Sequence, residues 1–113
     1  MHELGIVMNI VKQMEDYKVE HDLQKIEKLV LQVGALSGVV PKYLEDVYPM
    51  AVLDTSLQDT ELVIEETPGI GLCNQCGFRY DLTHNDNTCP SCQSDDFSII
   101  SGKEFLIKEL HAI

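Results

Sequence analysis

The residues of this chain that could do chemistry gather in two places. The first holds the only four cysteines, Cys73, Cys76, Cys89 and Cys92, which form two CxxC pairs with twelve residues between them. A CxxC turn can aim both sulfurs at one ion. Two such turns supply four thiolates, a donor set that Zn(II) accepts without geometric strain because its filled d shell has no preference of its own. Gly77 lets the backbone approach the first pair of sulfurs, and Pro90 stiffens the second turn. Four clustered cysteines in a chain with no visible secretory signal argue for a metal rather than disulfides. Four thiolates leave no open position, so the expected role is a structural clip. A rubredoxin-like iron electron carrier is the rival, but Phe78, Tyr80 and Phe97 are few aromatics for such a domain.

The second place is the amino terminus, Met1-His2-Glu3. The Met1 amine, the His2 backbone nitrogen and the His2 imidazole can form fused chelate rings in one plane. The Glu3 amide can complete it. Ni(II) and Cu(II) favour such planar nitrogen ligation. The simpler account is an exposed terminal histidine followed by a glutamate that favours the start of a helix dipole. Composition alone favours that account. His84 lies between the two knuckles and reads first as a solvated loop residue, with pH sensing or thiolate exchange as the alternative. Glu65-Glu66 and Asp95-Asp96 are adjacent in sequence, so they point apart and do not form acid–base pairs. There is no phosphate-cradling glycine loop and no nucleophile elbow.

The elements that must position these residues follow from periodicity. Leu4, Val7, Met8, Val11 and Met14 recur at helical steps and predict a helix over 4–17. Alternation at Ile26, Leu29, Leu31 and Val33 predicts a strand over 25–34. A loop through Leu36-Ser37-Gly38 leads to Pro41, which suits the first turn of a second helix. Tyr43, Leu44, Val47, Met50, Ala51 and Leu53 would form its apolar face, with a kink or break at Pro49. Residues 60–66 and 103–110 read as two more strands. They bracket the cysteine segment, so 62–66 and 104–110 are expected to pair antiparallel. The resulting fold class is α+β: a small antiparallel three-stranded sheet covered by two helices, with an inserted zinc ribbon. Residues 1–70 plus 103–113 would form the α+β domain and 71–102 the ribbon.

Composition narrows the function. The 113 residues fit one domain with a small insert. Eight Lys and Arg against 19 Asp and Glu leave a net charge of −11. That field repels phosphate backbones and anionic membranes, which weighs against the main alternative function, a zinc-ribbon module for protein or nucleic-acid interaction, in its nucleic-acid form. No apolar run approaches the ~18 residues of a membrane span. The expected compartment is the cytoplasm, with neither nucleic acid nor membrane as partner, and the chain a monomer or homodimer.

Met1-His2-Glu3-Leu4, Val33-Gly34-Ala35-Leu36-Ser37-Gly38-Val39, Glu61-Leu62-Val63-Ile64-Glu65 and the paired CxxC knuckles together resemble the HypA/HybF family. The resemblance runs from Met1 to the last strand. It implies a nickel metallochaperone of hydrogenase maturation, used for urease in some bacteria, and not an enzyme. His2 would be the essential nickel ligand. The Met1 amine and the backbone nitrogens of His2 and Glu3 would assist, and the Glu3 side chain would tune binding or partner contact. Cys73, Cys76, Cys89 and Cys92 would hold structural Zn(II), with Ni(II) as cargo. The implied partners are a HypB-type GTPase and the hydrogenase large-subunit precursor. Ala35 and Val40 depart from the family pattern, which carries acidic residues there. Val40 cannot ligate, so this resemblance implies no carboxylate ligand from that position.

Overall fold

The computed structural model describes residues 3–113. Helix α1 spans Glu3–Glu20 and buries Val7, Ile10, Val11 and Met14, a stripe at the three- and four-residue steps of one helical face. Strand β1 spans Ile26–Gly34. Helix α2 (Pro41–Val52) leads to strand β2 (Glu61–Thr67). Three short strands follow, β3 (Ile70–Cys73), β4 (Arg79–Asp81) and β5 (Phe97–Ser101). Strand β6 (Phe105–Ala112) closes the chain.

Among the described residues these strands form two three-stranded sheets, ordered β2-β1-β6 and β4-β3-β5. The first is mixed. Strand β1 pairs parallel with β2, Leu29 opposite Leu62, and antiparallel with β6, Leu29 opposite Leu110. The expected antiparallel pairing of 62–66 with 104–110 is therefore wrong: β1 stands between those segments. The physical reason is burial. Leu29, Val30 and Leu31 are all at most 4% exposed, so β1 is the strand that gains most from neighbours on both edges. Strands β2 and β6 carry Glu61, Glu66, Lys108 and Glu109, and suit the edges. Helix α2 bridges the parallel pair β1 and β2, a connection that parallel strands require.

The main core lies between the helices and one face of this sheet. Val7, Val11, Ile26, Leu29, Leu31, Leu44, Tyr48, Val52 and Leu57 are buried there, with Leu62, Ile64, Phe105 and Ile107 packed against them. Helix α2 presents part of the expected face: Leu44, Val47 and Ala51 pack on the core, and the rest of the set does not. Leu44, Tyr48 and Val52 are buried, while Tyr43, Met50 and Leu53 are exposed. Pro49 does not split the helix, which runs on to Val52. It falls in the last turn, where few further hydrogen bonds depend on it.

Candidate metal centre

The sulfur cluster is built by two knuckles with the same backbone plan. In the first, the Gly77 N–H donates to the Cys73 carbonyl at 2.9 Å and the Cys73 N–H to the Phe78 carbonyl at 2.8 Å. In the second, the Gln93 N–H donates to the Cys89 carbonyl at 2.8 Å and the Cys89 N–H to the Ser94 carbonyl at 2.9 Å. Both turns need a left-handed residue at the position directly after the second cysteine: Gly77 has φ +79° and Gln93 φ +63°. The first knuckle fills it with glycine, the second with a residue that bears the strain. The leading cysteine of each pair, Cys73 or Cys89, is buried, and the trailing one, Cys76 or Cys92, is exposed.

This repetition brings all four sulfurs within 4.8 Å of one another. The closest contacts run between knuckles, Cys73 Sγ to Cys92 Sγ at 3.5 Å and Cys76 Sγ to Cys89 Sγ at 3.6 Å. A tetrahedral ion with metal–sulfur bonds of about 2.3 Å sets its sulfurs about 3.8 Å apart, so the thiols already stand at the spacing such an ion needs. Backbone amides favour negative charge here. The Cys76 N–H chiefly pulls the Cys73 thiol down to about 6, against burial and with help from the Gln75 N–H and the neighbouring thiols. At Cys92 the Ser94 N–H also favours the thiolate, but the other cysteines and burial outweigh it and push that thiol up to about 12. Four thiolates this close repel one another until a cation joins them.

The ribbon has a small core of its own. Tyr80 and Leu82 are buried beside Cys73 and Cys89, and Phe97 packs on them. Leu36, from the loop after β1, completes this cluster from outside the ribbon. Sequence reading missed it, although an apolar residue in a glycine-flanked loop was the available signal. The Tyr80 hydroxyl is buried without a hydrogen-bond partner among the described residues. His84 stands apart from the sulfurs. It is 83% exposed and its Nδ1 lies 3.3 Å from Asp81 Oδ2, so it belongs to the loop, as its sequence context indicated.

Of the amino-terminal candidates, Met1 and His2 lie outside the described residues. Glu3 opens α1, and its carboxylate is buried, 4% exposed. One oxygen, Oε2, accepts the Val40 N–H at 3.3 Å. The other, Oε1, has no partner among the described residues. Val40 is the residue before α2 and brings no side-chain cap of its own; Glu3 satisfies the Val40 N–H, the donor that a Glu at the third helical position takes up in a capping box. The carboxylate is thus turned inward. No helix among the described residues is long and apolar enough to cross a membrane.

An α+β body that carries a four-thiol ribbon defines a class of small metal-handling proteins, and comparison with known proteins narrows it. A family model described as "Hydrogenase/urease nickel incorporation, metallochaperone, hypA" matches residues 1–112. The chain belongs to this HypA family of metallochaperones. It is 34% identical over 110 residues to the hydrogenase maturation factor HypA of Chlorobium limicola, covering 97% of this chain and 95% of that one. It is 37% identical over 106 residues to that of Desulfosudis oleivorans, covering 92% and 91%. Two solved structures share its fold. One is the solution structure of the Ni metallochaperone HypA from Helicobacter pylori, with TM-score 0.67 at 20% identity, covering 100% of this chain and 98% of that one. The other is a solution structure of HypA protein, with TM-score 0.70 at 21% identity, covering 100% and 97%.

Proposed function

We propose that this chain binds Ni(II) at its amino terminus and delivers it to the large-subunit precursor of a [NiFe]-hydrogenase, or to a urease precursor, in concert with a HypB-type GTPase. The observation that carries this reading is the family match over 1–112, in a chain that opens Met1-His2-Glu3. The Met1 amine, the His2 amide and imidazole, and the Glu3 amide would form the nickel plane. Glu3 suits that part. As the first residue of α1 its N–H has no intrahelical acceptor, so exchanging the amide proton for a metal breaks no helical hydrogen bond. Ligands on successive residues can be given up one at a time, which allows handover without full release of the ion. No bond in a substrate is made or broken, so the protein is not an enzyme.

Cys73, Cys76, Cys89 and Cys92 would hold Zn(II), which supplies the charge neutralisation that lets four thiolates share one point. Residues 71–102 would form the zinc ribbon, and 1–70 with 103–113 the nickel-binding domain. The acidic surface, −11 overall, suits a cytoplasmic protein whose partners offer basic patches, and disfavours nucleic acid. The chain would act as a monomer or homodimer.

The test is calorimetric titration of the zinc-loaded protein with Ni(II), beside His2→Ala and a variant with one residue added before Met1. The expected result is about one nickel per wild-type chain and loss of that binding in both variants. Equal binding by all three would sink the amino-terminal site.

A further inference from the structure

The two sheets meet where three passages of backbone cross: the end of β1 at Gly34, the β2–β3 connection at Pro68-Gly69, and the β5–β6 turn at Gly102. The crossing has no room for side chains. A Cβ on Gly34 would overlap the Gly102 carbonyl, and one on Gly102 would lie 2.8 Å from the Pro68 carbonyl oxygen. Gly102 has φ +106°, a conformation that side-chain-bearing residues rarely adopt. Something must hold it there. The Glu104 carboxylate folds back and accepts the Gly102 N–H with both oxygens, at 2.6 and 3.1 Å. Its Oε2 also accepts the Thr67 hydroxyl at 3.2 Å. The Gly102 carbonyl in turn accepts the Leu36 N–H at 2.7 Å. The Leu36 side chain then enters the ribbon core.

We propose that Glu104 is the positioning residue that fixes the ribbon on the α+β body, tying the β5–β6 turn to the end of β2 and holding Gly102 so that its carbonyl seats Leu36 in the ribbon core. The groups that bond to Glu104 are neutral: the Gly102 N–H first, then its own N–H, the Thr67 hydroxyl and the Lys103 N–H. Together they hold its carboxyl below the usual carboxylate range. It is therefore charged at neutral pH, and its bond to Gly102 is of the charge-assisted kind. This assignment is independent of the nickel reading, since it concerns only how the two sheets are joined.

The experiment is amide NMR on the zinc-loaded full chain, comparing wild type with Glu104→Gln, Glu104→Ala and Thr67→Val. In wild type the Gly102 amide proton is expected far downfield, as a short bond to a carboxylate demands. It should move upfield in Glu104→Gln, which offers one neutral amide oxygen in place of a charged carboxylate. In Glu104→Ala, exchange at the Gly102 and Leu36 amides should accelerate by about tenfold or more, the equivalent of one lost hydrogen bond to a charged group. Residual dipolar couplings of the two sheets should fit one alignment in wild type and need two in Glu104→Ala. Amides inside each sheet, such as those of Val30 and Leu72, should stay protected. Thr67→Val keeps the carboxylate but removes one donor, and should give a smaller acceleration at Leu36. It decides the matter if Glu104→Ala does not fold. A wild-type Gly102 proton in the ordinary amide range overturns the assignment. So does unchanged Leu36 exchange in Thr67→Val, or a Glu104→Ala protein in which both sheets share one alignment.

Discussion

The body and the ribbon of this protein are stabilised by different physics. Among the described residues, the body buries twelve in one core between two helices and a sheet. The ribbon buries four, two of which are cysteines, and borrows Leu36 from the body. Its strands are three to five residues long, too short to hold a sheet by backbone pairing alone. The body can therefore fold on apolar burial, while the ribbon needs its sulfurs joined. A maturation factor gains from this division, because the body keeps its shape whatever happens at the metal centre.

Metal removal should separate the two regions most sharply. A structural zinc site contributes on the order of 10 kcal/mol. Stripping the metal with a strong chelator should collapse the amide signals of residues 70–101 and leave those of β1 and the two helices in place. A ribbon that keeps its dispersed spectrum without metal would mean that Tyr80, Leu82 and Phe97 suffice, and would erase the contrast. The converse experiment lies in the body. Leu29 is fully buried at the centre of β1, and Leu29→Ala should cost about 2–5 kcal/mol in chemical denaturation, while metal affinity stays unchanged.

How much of this contrast was readable in the sequence follows the same line. The ribbon was legible because CxxC spacing is local, and two knuckles four sulfurs strong have few other uses. The order of helices and strands was legible from periodicity. The neighbour of each strand was not. Residues 62–66 and 104–110 bracket the ribbon, which suggests that they pair, yet both add to β1, and only the burial of Leu29, Val30 and Leu31 together explains it. The face of α2 was legible in part: Leu44, Val47 and Ala51 pack on the core as expected, but Tyr43, Met50 and Leu53 are just as apolar, and only the sheet decides which of them it meets. Glu3 reads as a glutamate at a helix start and Glu104 as one residue of a strand. Their roles depend on amides of Val40 and Gly102, and backbone donors leave no trace in composition. At the amino terminus, the resemblance of Met1-His2-Glu3 carried the nickel expectation, and of those three residues only Glu3 lies among the described ones.

A smaller effect is expected where the two regions touch. Gly34→Ala places a methyl group against the Gly102 carbonyl. The crossing must open, at about 1–3 kcal/mol by analogy with overpacked cores. Thermal unfolding should show the loss in both regions, because β1 belongs to the body and Gly102 to the ribbon's return. Loss in the body alone would show that the joint yields without disturbing the ribbon.

The smallest predicted difference compares two buried tyrosines. The Tyr48 hydroxyl donates to the Thr60 carbonyl at 2.9 Å, whereas that of Tyr80 has no partner among the described residues. Tyr48→Phe should cost about 1 kcal/mol, the net worth of an ordinary hydrogen bond. Tyr80→Phe should cost nothing and slightly stabilise the ribbon, since an unpartnered buried hydroxyl opposes folding. Alkali gives a second handle. Burial raises Tyr48 from 10.0 to about 12, so its phenol stays neutral in the folded chain after the unfolded chain has begun to ionise. The stability this contributes is fully present below pH 10 and is lost as pH rises towards about 12. Denaturation of the body followed across that window should show the loss in wild type and a flatter curve in Tyr48→Phe. Equal slopes would mean that Tyr48 is wetter than its packing in the core implies, and that the two tyrosines differ less than their surroundings do.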